Sequence, residues 1–211
     1  MRILLYGLQR SGTNLLEFLL KENYRICLIN DNEDRGSPRH KHCRFYSNKK
    51  IIPEHQYHNE IFANTFKEFQ DLFEVVPDHY LVISKDPYSW NLSYKNWAEK
   101  CGWPEVTHHY IEEYNLFYRK FMNLSFESGR FVFVRYIDLL QNTDTLLKQL
   151  EKRIKLKKRF FQRFKLEKPG KLSQSEDFTE NRRMYYLNKE YLKKYNMEDL
   201  KALNKLVDSQ V

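Results

Sequence analysis

The sequence predicts an α/β protein whose parallel sheet is flanked by helices, and three observations lead to this prediction. Short apolar segments at 2–7, 79–84 and 130–135 have the length and composition of buried parallel strands. An amphipathic segment at 12–22 follows the first of them and presents leucines at helical spacing. A second apolar run comes next at 24–29, and this early order of strand, helix and strand favours a layered α/β fold.

Helical patterns occupy most of the remaining chain. Helices are predicted at about 63–73, from residue 87 onward, at 105–126, at 144–154 and at 187–208. Pro87 suits the first turn of a helix, where its missing N–H group needs no partner. Residues 30–60 are polar and hold four histidines, and a loop of this length in a compact domain is usually functional.

Length and composition fit one domain over 1–211, with a basic helical part from about 143 to 211. The net charge is +8 and the isoelectric point is about 9.2, which favours an anionic partner. Three cysteines without a paired spacing indicate reduced thiols in an intracellular compartment. The sequence shows neither a signal peptide nor an apolar run of transmembrane length, so we expect a soluble, cytoplasmic protein.

The turn after the first strand carries the clearest functional signal, and it reads Gly7-Leu8-Gln9-Arg10-Ser11-Gly12-Thr13-Asn14. A short polar turn from a strand into a helix leaves backbone N–H groups free at the helix N-terminus, where they bind anions. Gly7 and Gly12 have the spacing of the outer glycines of a P-loop. Thr13 and Asn14 stand where that loop has its Lys-Ser/Thr pair, so the sequence disfavours an ordinary ATPase or kinase.

Arg10-Ser11-Gly12-Thr13 resembles the 5′-phosphosulfate loop of the sulfotransferases that use 3′-phosphoadenosine 5′-phosphosulfate (PAPS), which reads Lys/Arg-Ser-Gly-Thr. The same family binds the 3′-phosphate with an arginine at a strand end and a serine eight residues later. Lys85 follows the segment 79–84, and Ser93 lies eight residues further on. Lysine in place of arginine keeps the charge and loses the bidentate fork. Two motifs in the expected order are more specific than either alone.

The resemblance implies a P-loop sulfotransferase-like three-layer fold that holds PAPS at the carboxyl ends of its strands. It implies that Arg10 contacts the bridging oxygen of the donor and that Lys85 and Ser93 hold the 3′-phosphate. The residues that it places around the 5′-phosphate are Gln9, Arg10, Ser11, Gly12, Thr13 and Asn14. PAPS is then the co-substrate, and no metal is required, since the donor already carries its leaving group.

The base that activates an acceptor hydroxyl is expected in the polar loop, where Arg39-His40-Lys41-His42 is the densest group of titratable side chains. Sulfotransferases with this short N-terminal layout often carry a Lys-His pair in the region, which Lys41-His42 resembles. We predict His42 as general base, because imidazole titrates near neutral pH, with Lys41 assisting the sulfonate charge. Other candidates for the base stay open, and they are His40, Glu54, His55 and His58. No spacing in the loop is typical of a dedicated zinc site.

Two later segments resemble the family more loosely. Residues 135–140 look like its Arg-Tyr-Glu-Asp-Leu segment, with Ile137 in place of the glutamate, and we interpret this segment as structural. Residues 178–186 resemble its late basic-aromatic segment, from which Arg182 or Arg183 could reach the 3′-phosphate or the acceptor.

The run from 148 to 171 is dense in lysine and arginine, with phenylalanines at 160, 161 and 164. Such a run could contact nucleic acid or an anionic membrane. Its first part, however, has leucines at helical spacing, and cations on the outer face of an amphipathic helix are ordinary. The sequence therefore does not favour nucleic acid as a partner, whereas an anionic acceptor or a peripheral membrane contact stays open.

These features together predict an enzyme, a PAPS-dependent sulfotransferase that acts on a hydroxyl of a glycan, a lipid or a small molecule. Two alternatives stay open. One is a P-loop nucleotide or nucleoside kinase that uses the same loop for ATP, and the other is a non-catalytic module that binds anions or nucleic acid. The residues identify neither the acceptor nor the oligomeric state.

Overall fold

The structure is a computed structural model that describes residues 1–31, 37, 39–48, 60–159 and 180–211. From the N-terminus the elements are β1 (Arg2–Tyr6), α1 (Thr13–Asn23), β2 (Cys27–Leu28), β3 (Arg44–Phe45), β4 (Glu60–Ile61), α2 (Phe66–Gln70), β5 (His79–Ser84) and α3 (Pro87–Lys100). They continue with α4 (Tyr110–Glu127), β6 (Phe131–Arg135), α5 (Tyr136–Gln141), α6 (Thr143–Ile154), α7 (Glu180–Leu187), a 3-10 helix (Glu190–Lys194) and α8 (Met197–Leu206).

Four of these strands form one parallel sheet in the order β2-β1-β5-β6. Strand β1 lies between β2 and β5, so the chain leaves it on one side through α1 and later returns to its other side. The position between β1 and β5 is a topological switch point, where α/β sheets bind ligands beyond the carboxyl ends of the strands. Tyr6 pairs with Val82 across this position, so the turn after β1 and Lys85 after β5 lie at the same edge of the sheet.

Alternate residues of β1 and β5 belong to two separate buried clusters, because both faces of the central strands are covered. The cluster shared with α1, α5 and α6 contains Ile3, Leu5, Leu81 and Ile83. The cluster shared with α2, α3 and α4 contains Leu4, Tyr6, Tyr80 and Val82. The predicted α/β fold, with a parallel sheet flanked by helices, is therefore confirmed.

The strand predicted at 24–29 is shorter than expected, and a side chain explains the difference. Only the two residues of β2 pair with β1 as a strand. The Asn30 side chain takes the next place, since its Oδ1 accepts from the Leu5 N–H at 3.1 Å and its Nδ2 donates to the Leu5 carbonyl at 2.8 Å. Nδ2 also donates to the Arg39 carbonyl at 3.1 Å. A side-chain amide thus completes this edge of β1 and ties the polar loop to it.

Four other predictions need correction. The single helix predicted at 187–208 is wrong, because this stretch contains the 3-10 helix and then α8. The helix predicted at 63–73 is reduced to α2, which begins after Thr65 because Thr65 and Glu68 form a capping box. The loop predicted at 30–60 contains a short parallel ladder in which β3 pairs with β4. No helix was expected directly after β6, yet α5 begins there, with its first turn held by a bond of 2.7 Å from Arg135 to Asp138.

The amphipathic start of the basic run is confirmed, since α6 buries Leu146, Leu147 and Leu150. The phenylalanines at 160, 161 and 164, and the run beyond them to 171, lie outside the described residues. Among the helices that the structure describes, none is long and apolar enough to cross a membrane.

Candidate functional site

The turn between β1 and α1 has a backbone that requires both of its glycines. Gly12 has a φ of 100° at the N-cap of α1, a left-handed conformation that residues with side chains rarely adopt. A Cβ atom on Gly12 would also lie 2.4 Å from Cδ2 of Tyr136. At Gly7 an added Cβ would meet the Ser11 Oγ at 2.6 Å and the Ile83 carbonyl oxygen at 2.8 Å. The glycine spacing therefore reflects close packing of the turn against β5 and α5.

The first turn of α1 is open to an anion. Within the described part of the chain, no side chain caps this end of the helix. The N–H groups at a helix N-terminus carry a partial positive charge, so an uncapped end attracts anions. Gly12 and Thr13 lie at this end, as the predicted contacts with the 5′-phosphate require. Ser11 is fully buried, and its hydroxyl already donates to the Leu8 carbonyl at 2.7 Å.

Arg10 lies over the indole of Trp97, with its guanidinium carbon 4.9 Å from the ring centroid. Its φ of 70° is in the left-handed region. Its Nε is buried and has no hydrogen-bond partner among the described residues. Burial lowers the pKa of the guanidinium, while Tyr186 opposes this shift and Arg182 adds to it. A buried donor without a partner is unfavourable, and an anion bound at the turn would supply the missing acceptor.

Lys85 is buried directly after β5, with 4% of its surface exposed. Its Nζ donates to the Tyr186 hydroxyl at 3.3 Å. Nζ also lies 4.4 Å from the centroid of the Tyr186 ring and 5.6 Å from that of Tyr136. Burial lowers the pKa of the ammonium, while Tyr186 opposes the shift and Arg10 and Arg182 add to it. The lysine therefore lies in an aromatic enclosure beside two further cations.

Arg10, Lys85 and Arg182 surround the Tyr186 phenol, and we call these three residues the cation cluster. Burial raises the pKa of the phenol, but the charges and hydrogen bonds of Lys85 and Arg182 outweigh it and hold the pKa below its ordinary value. The cluster thereby joins the turn after β1, the end of β5 and α7. Of the two arginines considered from the sequence, Arg182 belongs to the cluster, whereas Arg183 bonds backbone carbonyl groups at the end of α5.

Ser93 lies in the second turn of α3 and is half-buried. Trp97 is four residues later on the same face of the helix, and Arg10 stacks on its ring. The first turn of α3 is closed, because the Asp86 carboxylate accepts two of its backbone N–H groups, each at 3.1 Å. The predicted site for the 3′-phosphate therefore has no open helix end and depends on side chains.

His42 is held against the start of the turn after β1. Its Nδ1 lies 2.6 Å from the Gly7 carbonyl oxygen. Because a carbonyl can only accept, Nδ1 carries the proton in the neutral ring and the lone pair lies on Nε2. Burial lowers the pKa of His42 well below its ordinary value, and His40 adds to the shift, so the ring is neutral at pH 7. A neutral imidazole with a fixed tautomer is the form that a general base requires.

Lys41, predicted to assist the sulfonate charge, is engaged in an ion pair. Its Nζ lies 2.7 Å from Oε2 of Glu17 and donates to Oδ1 of Asn14 at 2.8 Å. Its backbone carbonyl accepts from the Gly7 N–H at 3.0 Å. The ammonium group is thus placed at the first turn of α1, beside the predicted donor site, with its charge balanced by Glu17.

Sequence reasoning missed Arg44, a buried side chain that supports both the turn after β1 and the segment that carries His42. Arg44 is 2% exposed, and its Nη1 donates to the His42 carbonyl at 2.8 Å. Its Nη2 donates to Oε1 of Gln9 at 2.6 Å and lies 3.5 Å from Oε2 of Glu113, and Tyr94 bonds both Arg44 and Glu113. The Gln9 side chain, predicted to contact the donor, therefore holds the turn to β3 instead. An arginine in a polar segment carries no sequence signal of such burial.

The remaining candidates for the base fall into two groups. His40 is described, and its ring centroid lies 5.2 Å from that of His42. Glu54, His55 and His58 lie outside the described residues. Among the side chains that the structure describes, no group of three or more histidines, cysteines or carboxylates could hold a metal ion.

These contacts bring the N-terminus of α1 and the cation cluster together at the switch point of a parallel α/β sheet, which makes this place the candidate site. A scan against models of protein families found no match to this sequence, and searches of curated proteins and of solved structures found none either. The assignment of function therefore depends on the chemistry of the cation cluster and of the first turn of α1.

Proposed function

We propose that this chain is a PAPS-dependent sulfotransferase with a P-loop sulfotransferase-like three-layer fold, which moves a sulfonate group to a hydroxyl of a glycan, a lipid or a small molecule. The observation that supports this proposal is that two groups with the chemistry to bind anions lie at one edge of the sheet. One is the open end of α1 with Arg10, and the other is Lys85 with Arg182. PAPS carries phosphate groups at two separate positions, whereas the triphosphate of ATP requires one continuous cradle.

In the proposed reaction, the acceptor oxygen attacks the sulfur of PAPS in line with the bridging oxygen. The new S–O bond forms as the bond between sulfur and the bridging oxygen breaks, and adenosine 3′,5′-bisphosphate leaves with that electron pair. Arg10 stabilises the negative charge that develops on the bridging oxygen. Nε2 of His42 takes the proton of the acceptor hydroxyl, since Nδ1 is already bonded to Gly7. Lys41 stabilises the charge of the sulfonate: its ammonium group leaves Glu17 and contacts the donor instead.

A second candidate is a non-catalytic module that binds anions. The ion pair between Lys41 and Glu17 favours this reading, because a cation that is already paired is not free to act on a substrate. A nucleotide or nucleoside kinase is the weaker alternative, since Thr13 and Asn14 take the places of the P-loop lysine and hydroxyl residue.

A thermal unfolding assay separates the sulfotransferase from the kinase. We expect adenosine 3′,5′-bisphosphate to raise the Tm more than ATP with Mg²⁺, because a ligand that binds the native state stabilises it. The reverse order of the two shifts would favour the kinase.

Lys85→Ala should weaken binding of the bisphosphate far more than binding of adenosine 5′-phosphosulfate, which lacks the 3′-phosphate. Equal losses for both ligands would refute the assignment of Lys85.

An assay of radiolabelled sulfonate transfer then tests whether the chain is an enzyme or a non-catalytic module. Labelled PAPS is incubated with the full chain and a panel of glycan, lipid and small phenolic or alcoholic acceptors. Label in an acceptor supports the enzyme, and its loss in His42→Ala assigns the base. Tight bisphosphate binding with no transfer to any acceptor supports the module.

A further inference from the structure

Lys85, the residue proposed to hold the 3′-phosphate, is covered by a tyrosine of α7. Lys85 is 4% exposed and Tyr186 is 9% exposed. The Tyr186 hydroxyl oxygen lies 3.3 Å from Nζ of Lys85, and the ring centroid lies 4.4 Å from the same atom. The phenol oxygen thus takes up one of the three N–H donors of Nζ that an entering phosphate group could use.

The surroundings of Tyr186 hold its oxygen at this position. Lys85 and Arg182 both bond the phenol, and together they lower its pKa although burial raises it. Arg10 adds a third positive charge nearby, and the rings of Tyr136 and Tyr186 pack edge to face at 5.4 Å. An oxygen that cations polarise in this way resembles the oxygen of a bound anion. The phenol therefore gives the buried ammonium group of Lys85 a hydrogen-bond partner.

We infer that Tyr186 is a built-in competitor of the anion: its hydroxyl bonds the Lys85 ammonium in the free protein, and an entering phosphate group displaces the side chain of Tyr186. The inference rests on the proposed role of Lys85 and adds a gate to that site. The Tyr186 side chain is then the cover that moves as the anion enters, and it gives Lys85 a hydrogen-bond partner in the free protein.

The direction of a single effect distinguishes a competitor from a ligand. If Tyr186 competes for Lys85, removal of its hydroxyl frees the ammonium and raises the affinity for anions. If Tyr186 donates a hydrogen bond to the bound phosphate, the same change lowers the affinity. A tyrosine that serves only packing leaves the affinity unchanged.

Calorimetric titration of the full chain makes this comparison with two probes, inorganic phosphate and adenosine 3′,5′-bisphosphate. We expect Tyr186→Phe to bind both anions about tenfold more tightly than the unmodified protein, the effect of one hydrogen bond to a charged group. Tyr185→Phe is the matched control, because Tyr185 is the adjacent residue of α7 and its ring lies 5.2 Å from that of Tyr186. The control should bind as the unmodified protein does. Unchanged or weaker binding by Tyr186→Phe overturns the inference.

The two probes also separate the gate from the proposed function. Tighter binding of inorganic phosphate by Tyr186→Phe, with no binding of the bisphosphate to either protein, supports the gate and refutes a PAPS site. Failure of Tyr186→Phe to bind either anion overturns the gate.

Hydrogen exchange on the unmodified protein gives a test that needs no variant: phosphate should speed exchange of the α7 amides, because the helix loses the packing of Tyr186. Slower exchange in α7 would contradict displacement.

Discussion

The two junctions from a buried strand into a helix, β1 to α1 and β5 to α3, lie at the same edge of the sheet and are built differently. The first has an uncapped helix end, a Gly12 with a φ of 100° and an Arg10 with a φ of 70°. The second has a closed helix end, where the Asp86 carboxylate bonds two N–H groups and Pro87 opens the helix. Anion binding at the first junction can therefore use the backbone, whereas the second must use side chains.

The difference predicts that the first junction serves to bind a ligand and that the second serves stability. Left-handed residues and a buried donor without a partner destabilise a free protein, and both occur at the first junction among the described residues. The capped second junction has no residue in the left-handed region, although the Ser89 hydroxyl in the first turn of α3 is buried without a partner among the described residues. We therefore expect substitutions at the first junction to change function more than stability, and the reverse at Asp86.

The largest effect is expected from His42→Ala, which removes the imidazole bonded to Gly7 at the first junction. Loss of a general base should lower kcat by about 10²–10⁴. Steady-state transfer from PAPS measures this, and the affinity for adenosine 3′,5′-bisphosphate is the control and should not change. A rate near that of the unmodified protein would remove His42 as the base.

Arg10→Ala should lower kcat by about 10²–10³, because it removes one preorganised group that stabilises developing charge. The free energy of unfolding should stay the same or rise, since a buried Nε without a described partner disappears. Kinetics and urea denaturation measure the two quantities, and Arg25→Ala, at an exposed arginine, is the charge-matched control. A marked loss of stability in Arg10→Ala would show that the first junction is structural as well.

Asp86→Ala should change stability more than function, which is the opposite of what we expect at the first junction. Removal of an N-cap carboxylate should lower the free energy of unfolding by about 1 kcal/mol, because two N–H groups of α3 lose their partner. Urea denaturation measures this, and Asp86→Asn, which keeps an acceptor oxygen, should recover most of the loss. If Asp86→Ala unfolds like the unmodified protein, the contrast between the two junctions does not hold.

The smallest effect concerns the pH dependence of stability. Burial lowers the pKa of His42 in the folded state, so below about pH 6.5 the unfolded chain binds a proton that the folded chain does not. The free energy of unfolding should therefore fall as the pH drops below 6.5, until the folded-state pKa is reached. Thermal unfolding between pH 7.5 and pH 5 measures the slope, which should be shallower in His42→Gln. Identical slopes would contradict a lowered pKa for His42.

The elements that could be predicted from sequence are those whose signals are local. The strand at 79–84 has an apolar centre and matches β5, and the glycine spacing around Arg10 matches the turn that precedes α1. The helix predicted at 63–73 is too long, because the capping box of Thr65 and Glu68 sets its start.

The parts that could not be predicted depend on pairs far apart in the chain. Arg44 and Glu113 are 69 residues apart, and Lys85 and Tyr186 are 101 residues apart. No period or spacing joins such residues, since only the packed sheet and helices bring them together. The enclosure of Lys85 and the support of the His42 turn therefore became visible only in the structure.

The amide of Asn30 limits how long this protein can keep the structure of its candidate site. Both hydrogens of its Nδ2 are used, one on the Leu5 carbonyl and one on the Arg39 carbonyl. Asparagine amides hydrolyse slowly in water, and the resulting aspartate would set a carboxylate oxygen against two carbonyl oxygens in a buried place. The polar loop that carries His42 would then lose one of its attachments at this edge of the sheet, the bond from Asn30 to the Arg39 carbonyl. Hydrolysis of this one amide would thus impair the site over time without altering any residue proposed to touch the substrate.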